Sequence, residues 1–118
     1  HDALPIYKQI LLNQAKWCTG FFSKLRGFMF RKSIDPQEGL VFVYHSDNRV
    51  NTSTHMFFVP FDLGVVWVND AGTVVDKVCA KPWRPQYSPA EPARYVIELH
   101  PDKLNSVNIG DQFSFIPS

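Results

Sequence analysis

The strongest constraint on the fold lies mid-chain, where Leu63-Gly64-Val65-Val66-Trp67-Val68 runs into Asn69-Asp70-Ala71-Gly72 and then Thr73-Val74-Val75-Asp76-Lys77-Val78-Cys79-Ala80. The first run is β-branched and aromatic with no polar position, as a strand buried on both faces requires. Asn, Asp and Gly between two such runs tolerate the positive φ of a tight connection. An antiparallel hairpin over 63–80 follows, and the rest of the chain must cover it.

Upstream, Thr54-His55-Met56-Phe57-Phe58-Val59 is apolar enough to predict a second buried strand. Pro60 has no N–H for a ladder and disfavours α geometry at Val59, so the chain should bend there and deliver Asp62 at the bend. An ionised carboxylate among Phe58, Phe61 and Leu63 is costly unless backbone donors or a cation satisfy it. Asp62 is therefore either a backbone clamp or a ligand-contacting carboxylate.

Three more strands are expected. Tyr7–Ala15 is a candidate edge strand, Leu40–Tyr44 (LVFVY) a buried one, and Tyr95–His100 (YVIELH) another. Alternation places Glu98 on the face of Val96, opposite Tyr95, Ile97 and Leu99, where it needs a partner such as Arg26 or Arg94. Phe21, Phe22, Leu25, Phe28 and Met29 share one helical face, with Thr19 available as a cap and Gly27 reserved for a close approach. Pro101–Leu104 reads as a helical turn and Gln112–Ile116 as a last strand. The segment 81–94 (KPWRPQYSPAEPAR) carries four prolines around Trp83, Arg84 and Tyr87, which predicts an ordered but irregular loop. Its aromatics either stack on a flat ligand or sugar ring or fold back over an open sheet end.

At 118 residues the chain makes one domain, with ten Phe, three Trp and four Tyr to fill its core. Charged residues are only 19%, which argues against a disordered tail. The net charge is +1, and the one basic cluster, Lys24, Arg26, Arg31 and Lys32, is too sparse for a nucleic-acid stripe. Cys18 and Cys79 lack CxxC spacing and read as free thiols. With His45, His55 and His100 they show no metal-ligand spacing, so no metal or other cofactor is expected. No apolar run reaches membrane-span length and no leader is visible. The chain as given favours a cytoplasmic protein, or an envelope one if a leader has been removed, since it begins at His1 without Met.

The segments Leu25-Arg26-Gly27-Phe28-Met29-Phe30-Arg31, Gly39-Leu40-Val41-Phe42, Thr54-His55-Met56 with Pro60-Phe61-Asp62, Gly72-Thr73-Val74-Val75, Tyr95-Val96-Ile97-Glu98-Leu99 and Gly110-Asp111 occur in an order and spacing that resembles domain of unknown function family 192, also known as uncharacterised protein family 0127. The resemblance covers about Ala15 to Phe115. It implies a small, mostly β domain (α+β), with an antiparallel sheet closed or nearly closed into a barrel and one short N-terminal helix. It implies no established activity, and gives Arg26, Thr54, Asp62 and Glu98 as shared polar positions.

Three function classes remain. A non-enzymatic small-ligand domain of bacterial type, for a small molecule or carbohydrate, would use Trp83, Arg84 and Tyr87 for stacking and hydrogen bonds and Asp62, His55, Thr54, Arg26 and Glu98 as polar anchors. It would be a monomer or weak homodimer. An interaction domain would present a flat apolar patch, and a hydrolase would need Asp62 and Glu98 facing one cleft.

Overall fold

The computed structural model describes residues 12, 14–20 and 27–114. Five strands form one sheet: β1 (Gln14–Cys18), β2 (Glu38–Asn48), β3 (Leu63–Val68), β4 (Val74–Ala80) and β5 (Ala93–Leu99), with a 3-10 turn at Pro101–Ser106. Their order is β1-β2-β5-β3-β4. β1 is parallel to β2, and every other neighbouring pair is antiparallel.

The 63–80 hairpin forms as its composition demands. All six residues of β3 are buried, and the turn closes with Asn69 N–H donating to Thr73 O and Gly72 N–H to Asn69 O. Gly72 takes φ +86°, and an added Cβ would meet Phe113 O at 2.8 Å, so glycine is required there on both counts. β3 is buried twice over because the sheet has two covered faces. Leu63, Val65 and Trp67 enter one cluster with Phe28, Leu40, Phe42, Met56, Val59 and Val96. Val66 and Val68 enter another with Val41, Ile97, Leu99 and Val107. Loops cover the first face, and the 3-10 turn packs on the second through Leu104.

The barrel expectation is corrected by this order. β1 and β4 are the two outer strands and do not pair with one another, so among the described residues the sheet is open. Closure would need these two edges to pair, and no such ladder forms among the described residues. β1 itself begins near the end of the expected Tyr7–Ala15 strand; residues 7–11 and 13 lie outside the described residues. So does most of the expected helix, 21–26, while 27–30 is a turn. The expected last strand is reduced to an isolated bridge between Gln112 and Thr73, with 115–116 outside the described residues.

The second correction concerns 54–59. It is not a ladder strand: Val59 N–H donates to Met56 O, closing a turn in which Phe58 has φ +60°. Met56 and Val59 are buried while Phe57 and Phe58 are exposed, so apolar composition served a turn here rather than a two-faced strand. The segment pairs instead with the proline-rich loop. Thr54 and Tyr87 exchange both backbone bonds, Met56 N–H donates to Arg84 O, and Trp83 N–H donates to Met56 O. The buried Trp67 indole, donating to Thr52 O at 2.7 Å, ties this loop layer to β3.

Candidate functional site

Glu98 stands on β5, the middle strand of the sheet, opposite Leu40 on β2 and Val65 on β3. Alternation puts it on the loop-covered face with Val96, and it is buried. Burial pushes its carboxyl up to about 8, and no compensating donor or cation acts on it. Among the described residues none makes an ion pair or hydrogen bond with it.

The carboxyl borders a cavity of about 40 Å³, lined by Gly27, Phe28, Met29, Phe42, Tyr44, Ser53, Thr54, His55, Val59 and Glu98. A cavity this size holds roughly three waters. Its walls come from three places: the 27–29 turn, β2, and the 53–59 loop. Gly27 has φ +47°, and a Cβ there would stand 3.4 Å from Glu98 Oε1 and 3.5 Å from Phe42 Cζ. Glycine is needed here for the backbone, since a Cβ would make only ordinary contacts. The Tyr44 hydroxyl is pushed up to about 12, mainly by burial and further by Glu98 and Cys18, so it stays neutral through the ordinary pH range. His55 Nδ1 accepts from Phe57 N–H at 3.2 Å, which sets the ring against the 56–59 turn.

Beside this cavity lies an exposed aromatic cluster. Phe30 stacks on Phe58 at 4.9 Å between centroids, and Trp83 meets Phe58 edge-on at 5.2 Å. These three are the non-glycine residues with positive φ among the described residues, at +66°, +60° and +66°. Each is the third residue of a turn, closed by Arg31 N–H to Phe28 O, Val59 N–H to Met56 O and Arg84 N–H to Lys81 O. Glycine or asparagine is the usual choice at such positions, and a bulky side chain there costs about 1–2 kcal/mol. Phe30 N–H donates to Phe58 O and Trp83 N–H to Met56 O, so the three turns are lashed together through the backbone.

The profile of DUF192, the family described as "Uncharacterized ACR", matches residues 8–115. The chain belongs to this family. A DUF192 relative, the UPF0127 protein of Thermococcus kodakarensis, is 35% identical over 107 residues, covering 89% of this chain and 66% of its own length. The chain therefore spans just under two thirds of that relative. Two crystal structures share the DUF192 fold seen here. A protein of unknown function from Novosphingobium aromaticivorans gives a TM-score of 0.75 at 19% identity, covering 83% of this chain and 71% of its own. A putative transcription regulator from Sinorhizobium meliloti gives 0.74 at 20%, covering 83% and 78%.

Within this DUF192 domain the expected site residues divide. Glu98, Thr54 and His55 come together around the cavity. Asp62 does not join them: it is exposed and paired with Lys81 Nζ at 3.1 Å, because Phe61 and Leu63 turn toward the core and alternation sends Asp62 outward. Trp83 lies in the aromatic cluster, Arg84 is exposed, and Tyr87 is half-buried with its hydroxyl accepting from Lys81 N–H at 2.9 Å. Arg26 lies outside the described residues. The alternative partner Arg94 is used elsewhere, donating to Tyr44 O and pairing with Asp70 at 2.7 Å. Phe28, Phe42 and Tyr44 were missed as lining. The available signal was Gly27 between Arg26 and the apolar Phe28-Met29-Phe30. The two cysteines do not form a disulfide; Cys18 is buried and Cys79 half-buried. Among the described residues no three His, Cys, Asp or Glu side chains cluster as a metal site, and no helix is long and apolar enough to cross a membrane.

Proposed function

We propose that the domain is a non-enzymatic binding module that takes a small polar group into the cavity bordered by Glu98, Thr54 and His55. The observation that carries this reading is the Glu98 carboxyl, which sits on the central strand, borders the cavity and makes no hydrogen bond or ion pair among the described residues. Such a carboxyl gains from a polar guest that can hydrogen-bond to it inside the cavity. The cavity is smaller than a sugar ring, so any carbohydrate contact would have to use the outer face at Trp83 instead. A paired-carboxylate hydrolase finds little support, because Asp62 stands on the surface with Lys81 while Glu98 borders the cavity.

The test is an amide-resonance titration of the full chain with small amines, amides, carboxylic acids and alcohols. Shifts centred on Gly27, Thr54 and His55 are expected for at least one class. No response at those positions across the panel refutes the reading.

A second reading, an interaction surface, is favoured by the Phe30, Phe58 and Trp83 cluster. Three exposed rings held in strained turns would gain area on a partner or on a second copy of the chain. Loss of partner capture or self-association in a Phe58→Ala variant that keeps its thermal stability would support it.

A further inference from the structure

The side chains around Glu98 narrow the chemistry of the ligand. Three aromatic rings, Phe28, Phe42 and Tyr44, line the same small cavity, and among the described residues no lysine or arginine does. A carboxyl set in a largely apolar wall favours a guest that brings positive charge to the carboxyl and an apolar stem to the rings. The group that would otherwise meet such a cation in water, a carboxylate, is already in place. The Arg31 guanidinium lies 5.3 Å from the Phe28 centroid but is engaged through two bonds by Glu38, at 2.8 and 2.9 Å. Volume limits the guest further: space for roughly three waters admits an ammonium head and its first methylene, not a quaternary or bicyclic cation.

Resting on the binding-module reading, we infer that the cavity receives the primary ammonium head of an alkylamine, with Glu98 as its counter-ion and Phe28, Phe42 and Tyr44 as its aromatic walls. The amine comes either from a free small molecule or from a lysine presented by another protein. Glu98 carries a proton in the empty site and must lose it to pair with the guest. With burial pushing it up to about 8, the carboxyl is mainly protonated at pH 7. Binding therefore expels a proton. The other titratable groups lining the cavity are Tyr44 from β2 and His55 from the 53–59 loop. Tyr44 stays neutral below pH 10, and the contribution of His55 is isolated by repeating the measurement in His55→Asn.

The experiment is calorimetry of the full chain with ethylammonium chloride at constant ionic strength, in two buffers of different ionisation enthalpy, at pH 7 and pH 9. Saturable binding with proton release at pH 7 that shrinks at pH 9 is expected from a carboxyl that burial pushes up to about 8. Glu98→Gln should weaken binding at least tenfold and abolish proton release. Because the wild-type proton count needs no variant, a Glu98→Gln chain that fails to fold does not spoil the test. Binding without proton release, or unchanged in a folded Glu98→Gln, overturns the inference. Acetamide and acetate serve as neutral and anionic controls. If either shifts the Gly27, Thr54 and His55 resonances while ethylammonium does not, the module reading stands and the ammonium assignment falls; if none does, both fall. A lysine-containing peptide supplies the last arm. Tenfold tighter binding than ethylammonium, lost in Phe58→Ala, assigns the amine to a partner chain, and equal binding assigns it to a free metabolite.

Discussion

Glu98 makes the stability of this domain depend on pH in a direction opposite to most carboxylates. Its midpoint is about 8 in the folded chain because burial disfavours the charged form, against an ordinary glutamate value of 4.5. Between those values the folded state holds a proton that the unfolded state lacks. Raising the pH therefore favours unfolding, at about 1.4 kcal/mol per pH unit. The contribution is fully present below pH 4.5, is lost progressively up to about pH 8, and amounts to several kcal/mol across that window. Glu98→Gln keeps the shape and removes the titration. Urea unfolding at pH 5, 6, 7 and 8 should find the variant close to wild type at pH 5 and more stable by several kcal/mol at pH 8. Taking the difference between the two proteins cancels groups that titrate alike in both, and His55, which lines the same cavity, is controlled by running the pair in His55→Asn. A difference that stays constant over the four pH values would refute the claim that Glu98 folds as a neutral, unpartnered acid.

Three substitutions test the surrounding architecture. Gly27→Ala forces a Cβ into φ +47° beside Glu98 and Phe42, and should cost about 1–2 kcal/mol by chemical denaturation. Phe30→Gly should be close to neutral in the same assay. Relief of positive-φ strain, about 1–2 kcal/mol, offsets the stacking lost from a ring that is 69% exposed, whereas the buried neighbour Phe28→Ala should lose about 3–5 kcal/mol. Trp67→Phe leaves Thr52 O without its buried donor and should cost about 1–3 kcal/mol, with faster amide exchange across 52–56 as the loop layer loosens.

Local chemistry made part of this fold legible before any coordinates. The 63–80 hairpin, the strands at Leu40 and Tyr95, the irregular proline loop and the face occupied by Glu98 all follow from residue type and a period of two. Strand order does not, because nothing local to β1 says that it will run parallel beside β2, and the barrel expectation failed on that point. Two further differences share a cause. Apolar composition predicts Phe57 and Phe58 in a buried strand, yet a turn with positive φ at Phe58 turns them outward. Composition also sets Asp62 among apolar neighbours with a cation or backbone donors to satisfy it; those neighbours face inward, and the cation, Lys81, meets Asp62 at the surface. Of the site, Glu98, Thr54 and His55 were legible as polar residues within apolar segments. The aromatic walls were not, since a ring lining a cavity and a ring filling a core look alike in sequence.

The parallel pairing of β1 with β2 obliges the chain to cross over the sheet between Cys18 and Glu38, and one wall of the cavity, Gly27 to Met29, belongs to that crossover. Occupancy of the cavity and fraying of the outermost strand are thereby linked. A guest that holds the wall in place should slow hydrogen exchange of the β1 amides, although among the described residues none from β1 lines the cavity. Pulling the edge strand loose should equally speed the guest's departure.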